Sequence, residues 1–135
     1  MHSYNNINKK ILVIDDNQEL CEVICDSLDA YGHDTQYITD TTTLQDEILK
    51  SSDVIFLDLC IPDVDGFELI QELSKKNITS ELIFMSGSAM NILRSAELLA
   101  QQHGLNVIGS ICKPFRIDDV ISLVNVKNVN TANAF

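Results

Sequence analysis

The chain has 135 residues, 45% of them hydrophobic and 21% charged, the balance of one ordinary globular domain with its own core. Its formal net charge is −11, from 20 acidic and 9 basic residues, which argues against a broad basic face for direct binding of nucleic acid or anionic lipid. No apolar run approaches the roughly 18 to 20 residues of a membrane-spanning helix. Met1 to Asn8 is polar and Asn-rich and lacks the apolar centre of a secretory signal, so a flexible N-terminus over residues 1–8 and a cytoplasmic location are expected.

Lys10 to Ile14 is a short apolar run that stops at Asp15-Asp16, the pattern of a strand buried on both faces of a parallel sheet. Asn17 is placed to cap a helix in which Leu20, Val23, Ile24 and Leu28 recur at helical spacing, with Gly32 as its stop. Asp34 to Thr39 alternates as a second strand, and Thr41 to Lys50, with Leu44, Ile48 and Leu49, reads as a short helix. Val54 to Leu57 forms the centre of a third, fully buried strand ending in Asp58. After a loop through Cys60 and Pro62, Asp65 and Glu68 have the spacing of a capping box, ahead of a helix whose apolar side is Phe67, Leu69, Ile70 and Leu73. Glu81 to Met85 is a fourth strand, followed by Ser86-Gly87-Ser88 and a helix from about Ala89 to His103 that Gly104 ends. Asn106 to Ile111 is a fifth strand, and Ile117, Val120, Ile121 and Val124 line a last helix. The domain therefore spans residues 9–126, and the polar stretch 127–135 reads as a tail or the start of a linker.

Five strands alternating with five helices predict an α/β fold, a doubly wound parallel sheet with helices on both faces. In such sheets a ligand sits at the carboxyl ends of the strands. Those ends carry Asp15 and Asp16, Asp58, Ser86, and Lys113 just before Pro114. Three carboxylates brought together repel unless a cation lies among them. A hard, oxygen-only set with few protein ligands suits Mg²⁺, which takes its remaining ligands from water and phosphate. Lys113 would serve as a point charge for a phosphoryl oxygen, Ser86 would donate to another, and Asp58 is the candidate nucleophile.

The cysteines, Cys21, Cys25, Cys60 and Cys112, have no disulfide-framework spacing, and no His or second Cys pair completes a zinc set around Cys21 and Cys25. Reduced, mostly buried thiols are expected, with Cys60 at the rim of the crevice. His33, in a turn after Gly32, and His103, at a helix end, read as structural rather than phosphotransfer histidines.

The stretches Ile11–Asn17, Val54–Leu59 with Pro62–Leu69, Ile83–Gly87 and Lys113–Phe115 closely resemble the receiver domain of bacterial two-component response regulators. The resemblance implies a flavodoxin-like (βα)5 sheet of order 2-1-3-4-5, a fold for which a chemotaxis receiver is a standard example. It implies that Asp58 is the phospho-acceptor, that Asp15, Asp16, Asp58 and the backbone carbonyl of Cys60 hold Mg²⁺, and that Ser86 and Lys113 bind the phosphoryl group. It further implies a cis bond between Lys113 and Pro114. A histidine kinase or phosphotransfer protein would be the donor, an output domain or partner the recipient of the signal, and the only catalysis would be self-phosphorylation and dephosphorylation. Ser110 stands where many receivers carry a Tyr or Phe, so output is expected to run through the loop after Ser86 and the following helix. Ala100 to Gly109 together with Lys113-Pro114-Phe115 also looks like receivers attached to EAL-type phosphodiesterase domains. Two other readings are an unphosphorylated interaction module and an aspartyl-phosphate phosphohydrolase. The latter calls for an acid two residues after the nucleophile, where this chain has Cys60.

Overall fold

A computed structural model describes residues 8–87 and 90–132, with side chains described as far as residue 125. All but Asn8 of the expected flexible N-terminus lies outside the described residues, as do Ser88, Ala89 and residues 133–135. In chain order the elements are β1 (Lys10–Ile14), α1 (Gln18–Asp29), β2 (Asp34–Ile38), α2 (Asp46–Ser51) and β3 (Val54–Asp58). They continue with α3 (Gly66–Ser74), β4 (Glu81–Ser86), α4 (Met90–Gln102), β5 (Asn106–Cys112) and α5 (Ile117–Ala132). The strands form one parallel sheet in the order β2-β1-β3-β4-β5, as the strand pattern and resemblance led one to expect.

The alternation along each strand divides the core in two. Leu12, Ile14, Ile55, Leu57, Leu82 and Phe84 face α2, α3 and α4. Ile11, Val13, Val54, Phe56, Ile83 and Met85 face α1 and α5. Every residue of β3 and β4 is buried, which is why these segments read as continuous apolar runs rather than alternating ones. Each large aliphatic or aromatic side chain so buried contributes about 1.5–3 kcal/mol relative to exposure.

Helix starts follow the sequence signals. Asn17 Oδ1 accepts the Leu20 N–H at 3.1 Å, and Asp65 Oδ1 accepts the Phe67 N–H at 2.9 Å. Gly32 and Gly104 adopt φ of 93° and 81°, the left-handed conformation that lets the chain leave α1 and α4.

Four details differ from the sequence pattern. The segment Thr41–Lys50 is broken into a 3₁₀ turn over Thr41–Thr43 and the short α2, because Asp40 caps Thr42 through its side chain and three β-branched threonines disfavour a longer helix. In α1 the buried stripe is Cys21, Ile24, Cys25 and Leu28, leaving Val23 51% exposed. Phe67 is 38% exposed, so α3 packs mainly through Ile70 and Leu73. Finally, α5 continues to Ala132, past the expected end of the last helix, since no Gly or Pro interrupts residues 117–132.

The ladder between β4 and β5 slips by one residue. Leu82 faces Val107 but Ile83 faces Gly109, so Ile108 is an extra residue on β5. Gly109 leaves room there for α5: a Cβ on it would lie 2.7 Å from Leu123 Cδ2, so that leucine side chain would have to move aside.

Candidate functional site

At the carboxyl end of the sheet, neighbouring strands deliver their polar residues to one crevice. β1 runs directly into Asp15, which is 0% exposed, and β3 ends in Asp58, 3% exposed. The exposed Asp16 joins them, and one carboxylate oxygen from each of the three lies within 4.8 Å of the others. Asp15 is held in place because its Oδ1 accepts the Asn17 N–H at 3.0 Å, and its backbone N–H donates to Ile38 O at 3.2 Å. Asp58 is held similarly: its Oδ1 accepts the Cys60 N–H at 3.1 Å.

Lys113 reaches the crevice from the loop after β5. Its ammonium donates to Asp15 Oδ2 at 2.7 Å and to Asp58 Oδ2 at 3.3 Å. Its backbone N–H donates to Ser86 O at 2.8 Å, fixing the loop against β4, and the Lys113-Pro114 bond is cis as expected. Ser86 closes β4 and is fully buried, with its Oγ 3.1 Å from the Cys60 sulfur.

The electrostatics are unbalanced. Burial pushes the Asp58 carboxyl above the usual carboxylate range; the Asp15 charge adds to this, while the Cys60 N–H and Lys113 oppose it. Burial works against the Lys113 ammonium, yet its hydrogen bond to Asp15 and the charges of Asp58 and Asp15 hold its pKa above the ordinary lysine value. One ammonium among three carboxylates leaves negative charge equal to that of a divalent cation. An oxygen-only donor set with that residual charge fits a hard divalent ion such as Mg²⁺, which binds through one or two carboxylates plus water and phosphate.

The structure thus brings together Asp15, Asp16, Asp58, Ser86 and Lys113, all picked out from strand endings. Cys60 was placed at the rim on sequence grounds; its thiol is exposed and reaches Ser86. Of the other cysteines, Cys21 and Cys25 are buried, the Cys21 thiol donating to the backbone O of Asp15 at 3.3 Å and pushed up to about 12 chiefly by burial, and Cys112 is half-buried. His33 lies at the other end of the sheet, accepting the Lys9 N–H on Nδ1 at 3.2 Å.

Sequence reasoning missed the partner of Ser110. Its hydroxyl donates to the Glu97 carboxylate of α4, joining α4 to β5 at the position where many receivers carry an aromatic residue. Nothing in the spacing of these residues announces the pair. The only hint is that Glu97 follows the buried Ala96 and lies about a turn from Leu93 and Ala100, at the half-buried edge of α4.

The family model of the response regulator receiver domain matches residues 11–125. The chain belongs to that family. As a receiver domain it is a signalling domain of two-component systems rather than a conventional enzyme. A response regulator from Colwellia psychrerythraea, known from its crystal structure, is 30% identical and superposes with a TM-score of 0.74, covering 90% of this receiver and 98% of that chain. Regulatory protein VanRc of Enterococcus gallinarum is 27% identical over 123 residues, 90% of this chain and 50% of the relative. Sporulation initiation phosphotransferase F of Bacillus subtilis (strain 168) is 27% identical over 117 residues, 84% of this receiver and 89% of the relative. The chain spans about half the length of several of its curated relatives, VanRc among them. Among the described residues, no helix is long and apolar enough to cross a membrane.

Proposed function

We propose that the receiver takes a phosphoryl group on Asp58 from the phosphohistidine of a histidine kinase or phosphotransfer protein, and that this switches an output surface. A carboxylate oxygen of Asp58 attacks phosphorus, a P–O bond forms as the P–N bond breaks, and the leaving imidazole nitrogen takes up a proton. The observation that carries the reading is the Lys113 ammonium, which spans Asp15 and Asp58 where a transferring phosphoryl oxygen would need a positive partner. Asp15, Asp16, Asp58 and the Cys60 carbonyl would hold Mg²⁺, which offsets charge on the transferring group when bound. Asp15 keeps Lys113 aimed at Asp58 and keeps it protonated. Ser86, at the end of β4 beside the acceptor, donates its hydroxyl to a phosphoryl oxygen and draws the start of α4 with it.

The phosphoryl group later leaves to water, so the domain catalyses only its own modification. The output is an attached domain or a separate protein; the Ala100–Gly109 stretch favours an EAL-type domain, and the net charge of −11 disfavours direct contact with nucleic acid. A cytoplasmic setting suits a partner kinase that phosphorylates from within the cell. The test is labelling by a small acyl phosphate donor with Mg²⁺. Wild type is expected to label, and Asp58→Asn to lose the label entirely. Continued labelling of Asp58→Asn would overturn the assignment.

A further inference from the structure

Between α3 and the segment that leads into α2 lies a groove of about 290 Å³, lined by none of the five residues of the acceptor crevice. Part of its lining is apolar. Leu44 stands on one side and Val64 and Leu69 on the other, each half-buried and packed against the core beneath. The rest is acidic: Asp63, Asp65, Glu68 and Glu72 all line it, the two glutamates four residues apart and so on one face of α3. Asp65 is engaged in capping α3, where its Oδ1 accepts the Phe67 N–H. The carboxylates of Asp63, Glu68 and Glu72 have no ion-pair or hydrogen-bond partner among the described residues. Lys76 is the single cation among the described lining residues, and it already pairs with Asp46 at 2.8 Å.

We propose that this groove docks a segment of a partner protein carrying an apolar side chain flanked by arginine or lysine. The half-buried leucines and valine gain by losing their remaining contact with water, and an apolar side chain laid on them supplies the affinity. The unpaired carboxylates supply selection, since charges at a rim discriminate between partners and speed encounter more than they tighten binding. A volume at the foot of the small-molecule range suits one or two side chains of a docked segment. A bare metal ion fits the groove poorly. Among the described residues, Asp15, Asp16 and Asp58 are the acids whose oxygens gather within 4.8 Å, so those of the groove are too spread to share an ion.

The experiment titrates the full chain with the blocked peptide acetyl-Arg-Leu-Leu-Arg-amide and follows backbone amides by NMR. Shifts are expected to centre on Leu44, Val64, Glu68, Leu69 and Glu72. The peptide with both arginines replaced by glutamine, and the one with both leucines replaced by serine, should each bind at least about fivefold more weakly. The double variant Glu68→Gln, Glu72→Gln should weaken the parent peptide by about four- to twentyfold. Equal binding of the three peptides overturns the proposal, as does an unchanged affinity in the double variant. Shifts spread instead over Glu19, Glu22 and Asp26 of α1 would mean attraction to acidic surface in general and also overturn it. Ca²⁺ alone moving the groove amides as the peptide does would make this a cation site and overturn it too. Should the double variant fail to fold, the three peptides on wild type decide.

Discussion

Both ends of the sheet hold buried polar residues, His33, Ser52 and Ser80 at one and Asp15, Asp58 and Ser86 at the other, yet they are built on different terms. At the amino end the polar groups are paired within the fold. Asp53 Oδ2 accepts the Lys10 N–H at 2.8 Å, and Lys9 Nζ donates to Val124 O of α5 at 2.8 Å. The buried Ser80 hydroxyl is shared between Ser52 O at 2.6 Å and Leu49 O at 3.1 Å. At the carboxyl end Asp15, Asp16 and Asp58 are gathered together, and the Lys113 ammonium is divided between Asp15 and Asp58. Burial of polar groups does not by itself mark a working site. What marks the carboxyl end is three carboxylates gathered within one cluster, a concentration of negative charge that a metal ion or phosphoryl group would meet.

That contrast breaks if substitutions at the two ends behave alike. The largest expected effect is at the amino end: Ser80→Ala takes a buried hydroxyl donor from Ser52 O, while Leu49 O keeps the Ser52 N–H, and should lower unfolding stability by about 1–3 kcal/mol in a denaturant titration, with labelling of Asp58 retained. The opposite sign is expected at the carboxyl end. Because burial, and then the Asp15 charge, raise the Asp58 pKa above 3.8, ionising this group costs more in the folded chain than in the unfolded one. In Mg²⁺-free buffer, wild-type stability should therefore fall as pH climbs through that raised value. Asp58→Asn should melt roughly 2–5 °C above wild type at pH 7, and added Mg²⁺ should lift wild type more than the variant. The smallest effect concerns His33, whose pKa is lowered below 6.5 chiefly by burial. A depressed histidine pKa means stability is intact above 6.5 and declines as the pH falls below it; His33→Gln should flatten that slope in thermal melts.

Much of the site was legible because strand endings are visible without any knowledge of contacts. A buried parallel strand reads as an apolar run, so the residue that ends it announces itself, as Asp15 and Asp58 do. Caps are legible for a similar reason, since Asn17 and Asp65 act on N–H groups two or three residues away. Periodicity gives the direction of a helix face but not its width, which is why Val23 and Phe67 were assigned to buried faces and are exposed. Contacts between distant residues were not legible. Cys60 meets Ser86 across 26 residues and Ser110 meets Glu97 across 13, and both depend on how strands and helices are set against one another. His33 read as a structural turn residue beside Gly32, but the spacing did not show its partners: the residue is 8% exposed and its ring bridges Lys9 to Asn125.

The additional residue in β5 is absorbed where it enters. A strand sends successive side chains to alternate sides, so an unabsorbed insertion of one would turn everything downstream the wrong way. The bulge takes up Ile108 between Val107 and Gly109, and the residues beyond it stay in step with β4: Ser110 faces α4, Ile111 faces α1 and α5, and Cys112 faces the α4 side again. Were the bulge flattened with Ile108 retained, those sides would exchange and Ile111 would lie among the wrong neighbours. The order at one rim of the sheet thus depends on slack taken up near the other.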